Sequence, residues 1–161
     1  MTASAGEGAA SAPADAETAR ALRLWVVLAR AYAAVAREVD ADIGRHELTT
    51  TEFGILEALH HKGPLLLGEI QRKVLVTSGG ITYLVDRLVA RGLVTREPSP
   101  QDRRARYAVL TPAGEALIAR TFPEHAAFLT QTMQALTARE QADATLLLRK
   151  LGLAAAASAL R

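Results

Sequence analysis

Apolar residues recur every three or four positions from Thr18 to about Ile43, which is the spacing of one face of an α-helix. Two such stripes run side by side along this segment. The first comprises Leu24, Leu28, Tyr32, Val35, Val39 and Ile43, and the second comprises Leu22, Trp25, Val26, Ala29 and Ala33. A helix that is apolar around so much of its circumference needs partners on more than one side. In a chain of 161 residues, this pattern indicates a subunit interface.

The first 17 residues have a different character, because they are mostly Ala, Gly and Ser. Such a segment cannot offset the entropy of ordering by burying apolar surface. We therefore expect a disordered tail over 1–17 and a single domain over 18–161.

A second helix is predicted to begin after Thr49. Thr49 and Glu52 have the spacing of a capping box, in which the threonine and the glutamate each bind the other's backbone N–H. Lys62 followed by Gly63 is a typical helix end. The predicted buried residues of this helix are Phe53, Leu56 and Leu59.

Residues 65–92 are predicted to form two short helices joined by a tight turn. The first covers about Leu67 to Val74, and Thr77 or Ser78 can cap the second, which ends at Arg91 before a glycine. One face of the second helix is strongly apolar. Its members are Ile81, Leu84, Val85, Leu88 and Val89. The segment is therefore typical of a helix-turn-helix.

The opposite face of the second helix carries the candidate chemistry. It presents Gly79, Tyr83, Asp86, Arg87 and Ala90, with Thr82 at its flank. Gly79 and Gly80 each cost about 1 kcal/mol of helix stability relative to alanine, and they let a partner approach the backbone closely. The free N–H groups of this helix end suit a phosphate, with Ser78, Thr82 and Tyr83 as further hydrogen-bonding groups. These features favour a recognition helix in a DNA major groove, and the alternative is an ordinary surface helix with a loose start.

Two short strands are predicted next, Leu93–Arg96 and Arg106–Leu110. The two prolines in the loop between them exclude a central strand and favour a hairpin. Arg103 and Arg104 lie at its tip, and Asp102 can hold a guanidinium in one orientation. A hairpin that presents arginine beside a recognition helix is a wing, suited to the narrow minor groove.

The charge distribution agrees with this interpretation. Between Lys62 and Arg106 there are nine basic and four acidic residues, whereas the whole chain has a net charge of only +2. A basic middle segment indicates a polyanionic partner, and the alternative is a solvated charged surface.

The composition excludes several other functions. The chain has no cysteine, which excludes disulfides, thiolate metal sites and cysteine nucleophiles. We expect no metal site and no cofactor, because the four histidines (His46, His60, His61 and His125) lack ligand spacing. No apolar run reaches the length of about 18 residues that predicts a membrane span, so we expect a cytoplasmic protein without a membrane partner. A small enzyme is disfavoured, because no nucleophile elbow, phosphate loop or metal motif is present.

The C-terminal region is predicted to form two further helices. Thr111 and Pro112 open the first, which Pro123 is expected to kink or interrupt near Thr121. A second capping box, from Thr137 to Glu140, opens the last helix. These helices and the first one have more apolar surface than a small domain can hide, which predicts a symmetric dimer.

Several motifs together resemble the MarR family. They are Leu-Thr-x-x-Glu-Phe at 48–53, Thr-Ser-Gly-Gly-Ile-Thr-x-Leu-Val-Asp-Arg-Leu at 77–88, Gly-Leu-Val at 92–94, and Asp-x-Arg through Leu-Thr at 102–111. The resemblance implies a mainly α-helical fold with a small β-hairpin wing. It implies dimerisation helices over 18–45 and 111–160 and a winged helix-turn-helix over 48–110.

The resemblance also implies a homodimeric regulator, usually a repressor, that binds double-stranded DNA at a palindromic operator. The expected DNA-contacting residues are Thr77, Ser78, Gly79, Thr82, Tyr83, Arg87, Asp102, Arg103 and Arg104. Family members often bind a small aromatic or phenolic effector, for which Arg23, Trp25 and Tyr32 are candidates here, with core packing as the alternative for both aromatic residues. The glycine-rich helix start departs from many members, which carry side chains there. The alternative function is a dimeric winged-helix protein-interaction module without specific DNA binding.

Overall fold

The computed structural model describes residues 12–74, 78–99 and 105–158. Over these residues the chain forms six α-helices and three short strands. In chain order they are α1 (Ala12–Gly44), α2 (Thr50–Lys62), β1 (Leu65–Leu66), α3 (Leu67–Val74), α4 (Ser78–Ala90), β2 (Val94–Pro98), β3 (Arg106–Leu110), α5 (Pro112–Met133) and α6 (Ala138–Ser158). This mainly helical architecture with a β-hairpin confirms the expected fold class. Among the described residues, no helix combines the length and apolar character needed to cross a membrane.

The chain divides into two compact units, Met1–Val39 and Asp40–Arg161. The described part of the first unit is α1 from Ala12 to Val39. Residues 12–17 of the expected tail are therefore helical, because alanine-rich sequence has high helix propensity even where it buries little. Residues 1–11 of that tail lie outside the described residues.

The core of the second unit is built around α2. Phe53, Leu56 and Leu59 are buried as predicted, and α2 packs against α3, α4, α5 and β3. The predicted capping box is present, with Thr49 as the N-cap, and the helix is followed by Gly63 at φ +74°. A left-handed residue at this position suits glycine, which has no Cβ to clash.

The three strands form one antiparallel sheet in the order β1-β3-β2. The predicted hairpin is confirmed, with Val94 opposite Leu110 and Pro98 opposite Arg106. Pro98 is tolerated at the end of an edge strand, where its missing N–H costs no central hydrogen bond. Strand β1 was not predicted, because two leucines in a short apolar run have no alternation that would distinguish a strand from a helix start.

The helix that follows the hairpin begins as predicted at Pro112. The Thr111 hydroxyl accepts a hydrogen bond from the Gly114 N–H at 3.1 Å and donates one to the Gly92 carbonyl at 2.6 Å. A Cβ at Gly114 would overlap the Leu93 carbonyl oxygen, so only glycine fits this contact. The expected interruption at Pro123 was wrong, since α5 runs through this proline to Met133. The proline removes one N–H, and the packing of α5 against α2 offsets that loss.

Candidate nucleic-acid interface

Helix α4 presents a polar face to solvent. Ile81, Val85 and Leu88 are buried at its inner side. The residues that remain exposed are Thr82, Tyr83, Asp86, Arg87, Val89 and Ala90. The predicted exposure of Thr82, Tyr83, Asp86, Arg87 and Ala90 is thus confirmed. Val89, which was predicted on the buried face, is exposed.

The start of α4 is only partly described. The helix begins at Ser78 and continues through Gly79, as the predicted turn requires. Thr77, the other candidate cap, lies outside the described residues.

Arg87 is anchored from behind by a residue of α2. Its Nη2 lies 3.2 Å from Oε1 of Glu52, whose side chain is 0% exposed, whereas the Arg87 side chain remains 42% exposed. Its guanidinium carbon also lies 5.9 Å from the centre of the Tyr83 ring. A cation at this distance from an aromatic face is attracted to it. Arg87 therefore lies between the buried carboxylate of Glu52 and the exposed ring of Tyr83.

Sequence reasoning missed this second role of Glu52. The capping box explains a glutamate at position 52 completely, and no spacing rule connects it to a residue 35 positions later. The sequence offered one weak sign of burial: Glu52 directly precedes Phe53, which was predicted to be buried.

Asp86 is neutralised by the hairpin. Its Oδ1 lies 2.8 Å from Nη2 of Arg96, which belongs to β2. This ion pair connects α4 to the base of the wing, defined here as β2, β3 and the loop between them. It also removes an uncompensated negative charge from the face that carries Arg87.

The tip of the wing is outside the described part of the chain. Asp102, Arg103 and Arg104 belong to the undescribed residues 100–104. The strands continue toward them, since the Ser99 N–H donates to the Ala105 carbonyl at 3.1 Å. At this end of the hairpin Arg106 is exposed.

Histidine–carboxylate contacts connect α5 to the segments before and within α2. His125 Nδ1 lies 2.7 Å from Asp42 Oδ2, and both side chains are buried. Burial by itself would raise the pKa of Asp42, but hydrogen bonds from His125 and Arg45 outweigh it and hold that pKa below its usual value. His60 of α2 forms a similar 2.7 Å contact with Glu115 of α5. These pairs fix the scaffold behind α4.

His46, His60 and His125 each lie near one carboxylate, whereas His61 packs edge-on against the Phe122 ring. Among the described residues, no group of three or more histidine or carboxylate side chains could hold a metal ion.

The candidate effector residues lie on α1. Trp25 is 64% and Tyr32 is 74% exposed in the single chain. Arg23 lines an open groove of about 570 Å³, together with Arg20, Leu24 and other small or apolar residues of the same helix. Trp25 and Tyr32 are not among the residues that line this groove.

Known proteins resemble this chain closely. The sequence profile of the MarR family matches residues 46–105. The HTH-type transcriptional regulator MhqR of Bacillus subtilis is 40% identical over 136 residues, which are 84% of this chain and 94% of that protein.

Two solved structures are similar as well. One is BpsR of Bordetella bronchiseptica, whose DNA binding is regulated by 6-hydroxynicotinic acid. It is 30% identical, has a TM-score of 0.68, and the match covers 81% of this chain and 98% of that one. The other is a mutant MarR of E. coli in complex with operator DNA. It is 26% identical, has a TM-score of 0.75, and the match covers 82% and 95% of the two chains. The profile, the relative and the shared winged-helix fold agree, and the chain belongs to the MarR family of transcriptional regulators.

Proposed function

We propose that this protein is a sequence-specific DNA-binding repressor that acts as a homodimer on a palindromic operator. The observation that carries the proposal is the outward face of α4. On this face Tyr83 and Arg87 are exposed, and the acidic Asp86 is compensated by Arg96 of the wing. A polar, cation-bearing helix face beside a basic hairpin matches the needs of major-groove binding.

Each part of the interface has a distinct task in this proposal. Helix α4 enters the major groove, where Thr82, Tyr83 and Arg87 contact base edges. Thr77, Ser78 and Gly79 bring the helix start close to a backbone phosphate. Arg104, held by Asp102 and assisted by Arg103, enters the adjacent minor groove.

The apolar surfaces of α1 and α6 support the homodimer. Large apolar side chains remain exposed on both helices: Leu22, Leu24, Trp25, Val26 and Val27 on α1, and Leu146, Leu147, Leu148, Leu151 and Leu153 on α6. So many large apolar side chains exposed in the single chain favour a protein interface. A two-fold axis then places the two recognition helices about one DNA turn apart, which requires a palindromic site.

A small aromatic or phenolic molecule releases the repressor in this proposal. Support comes from BpsR, since 6-hydroxynicotinic acid regulates DNA binding by that protein. Arg23, Trp25 and Tyr32 are the proposed effector residues, with Arg23 as the partner of an acidic group. The protein works by binding alone, without a catalytic step or cofactor.

Arg104→Ala tests the proposed DNA contact. Duplexes are first selected from a random library by the wild-type protein, and affinities for the selected duplex are then compared by gel shift over a range of salt concentrations. We expect steep salt dependence for the wild type and a loss of about 1–3 kcal/mol in the variant. Unchanged binding would exclude the wing from the interface. If no sequence were enriched while the protein still dimerised, the protein-interaction module would be the correct function.

A further inference from the structure

Glu52 belongs to α2, yet its carboxylate contacts two arginines at the recognition helix. Its Oε1 lies 3.2 Å from Nη2 of Arg87, and its Oε2 lies 3.7 Å from Nη1 of Arg91, just beyond the end of α4. The side chain is completely buried. A buried carboxylate needs compensation by charge or hydrogen bonds, and here the compensating charges come from the helix that faces DNA in our proposal.

The position of this carboxylate is fixed by the backbone. Oε2 accepts hydrogen bonds from the Thr49 N–H at 2.9 Å and from the Thr49 hydroxyl at 3.1 Å. The Glu52 N–H donates to the same hydroxyl at 3.2 Å. Because both ends of the capping box are occupied, the carboxylate cannot follow a moving arginine. It is a fixed point to which α4 is attached.

The fixed carboxylate restricts Arg87. Oε1 accepts no hydrogen bond of regular geometry among the described residues, so Arg87 meets it by close approach of opposite charges. On its other side the guanidinium faces the Tyr83 ring. Restricting a flexible arginine in the free protein lowers the entropy lost when it later binds a partner.

The same contact reduces the attraction for DNA in general. Two guanidinium groups and one carboxylate leave a single net positive charge at this place. Attraction between arginine and phosphate does not depend on sequence, whereas a directed arginine can distinguish bases. Glu52 therefore weakens the sequence-independent attraction to phosphate and favours discrimination between bases.

We propose that Glu52 is a positioning residue for sequence discrimination, which holds Arg87 against Tyr83 and so sets the ratio of operator to non-specific affinity. This inference rests on the proposed DNA-binding function. It concerns a residue that does not itself reach DNA.

Glu52→Gln is the direct test, because glutamine keeps an acceptor for the Thr49 N–H and removes the charge. The probes are the duplex selected by the wild-type protein and a scrambled duplex of equal length and composition. We expect affinity for the selected duplex to fall about tenfold and affinity for the scrambled duplex to rise about twofold. Loss of stability alone would lower both affinities together, so opposite changes identify positioning.

Glu57→Gln is the matched control, since it removes the same charge from a partly exposed position of the same helix. Its affinity ratio is expected to stay within about twofold of the wild type. In an Arg87→Ala background, Glu52→Gln should change the ratio by less than about twofold, because the positioned group is already absent.

If thermal melting shows that Glu52→Gln does not fold, Arg87→Lys is used instead to test the inference. Lysine keeps the positive charge but lacks the planar guanidinium. The ratio of selected to scrambled affinity is therefore expected to fall about as far as in Glu52→Gln. An unchanged ratio in Glu52→Gln or Arg87→Lys, or additive effects in the double variant, would overturn the inference. Failure of the wild-type protein to select any sequence would instead overturn the proposed function, and this inference with it.

Discussion

Helix α4 is exposed along one face, whereas α6 is exposed around almost its whole circumference, and the exposed chemistry of the two helices differs. On α4 the exposed side chains include Tyr83, Asp86 and Arg87, and both charged groups have ionic partners. On α6 the exposed side chains include five leucines, at 43–68% exposure. Water solvates the first face well and the second poorly. Exposure alone therefore does not identify a partner, whereas the chemistry of the face favours nucleic acid for α4 and protein for α6.

The capping boxes of α2 and α6 also share one local motif but differ in their surroundings. Glu52 and Glu140 occupy the same position in the same motif, each bound to a threonine three residues earlier. Glu140 is exposed, and hydrogen bonds from the backbone and hydroxyl of Thr137 lower its pKa. Glu52 is buried and also contacts two arginines. Identical local chemistry thus acquires a second role only where another helix packs over it.

Gly114→Ala has the largest expected effect, because it damages the scaffold that both faces share. A methyl group there would overlap the Leu93 carbonyl oxygen, which is backbone and cannot rotate away. We expect a loss of about 3 kcal/mol in the free energy of unfolding, measured in urea. Gly44→Ala is the control, since no atom lies within 4 Å of its added methyl group. Equal stability of the two variants would contradict the crowding argument.

Replacement of Leu147 and Leu151 by glutamate tests whether the apolar surface of α6 forms a dimer interface. These leucines lie one turn apart and are 68% and 43% exposed in the single chain. If a second copy covers them, the dimer dissociation constant should rise at least about 100-fold, since each buried leucine contributes about 1.5–3 kcal/mol. Analytical ultracentrifugation measures this constant. Lys150→Glu serves as the control for charge, and an undisturbed dimer in the leucine variant would exclude α6 from the interface.

Asp86→Asn has the smallest expected effect and tests how the charge on the exposed face of α4 influences DNA affinity. The partly exposed pair with Arg96 contributes about 0.2–1 kcal/mol to stability at most. Its loss frees a cation beside the proposed interface, so DNA affinity should rise about twofold at low salt. Gel shifts at two salt concentrations measure the change, with Asp143→Asn on α6 as the control. A weaker affinity would mean that the ion pair positions the wing rather than limiting its charge.

Much of the fold could be predicted from short stretches of sequence. Both capping boxes, the end of α2 at Gly63 and the bounds of α3 depend on residues that are close together in the chain. The outward face of α4 follows equally directly from helical periodicity. The interruption expected at Pro123 was wrong, because α5 continues through this proline.

Other features of the candidate site could not be predicted in this way. Strand β1 exists because β3 offers it an edge, with Leu65 opposite Ala108. The contacts from Glu52 to Arg87 and from Asp86 to Arg96 join different elements. No periodicity relates such pairs, because their distance depends on how whole helices and strands pack.

The sequence by itself determined where α2, α3 and α6 begin, which face of α4 is polar, and the resemblance to one family. These properties follow from backbone hydrogen bonding and from burial patterns that repeat within a few residues. Only the tertiary structure decided that Arg87 is anchored by a buried carboxylate and that Asp86 is paired with the wing. The reason is that electrostatic partners are chosen by distance in space, which the order of residues along the chain does not specify.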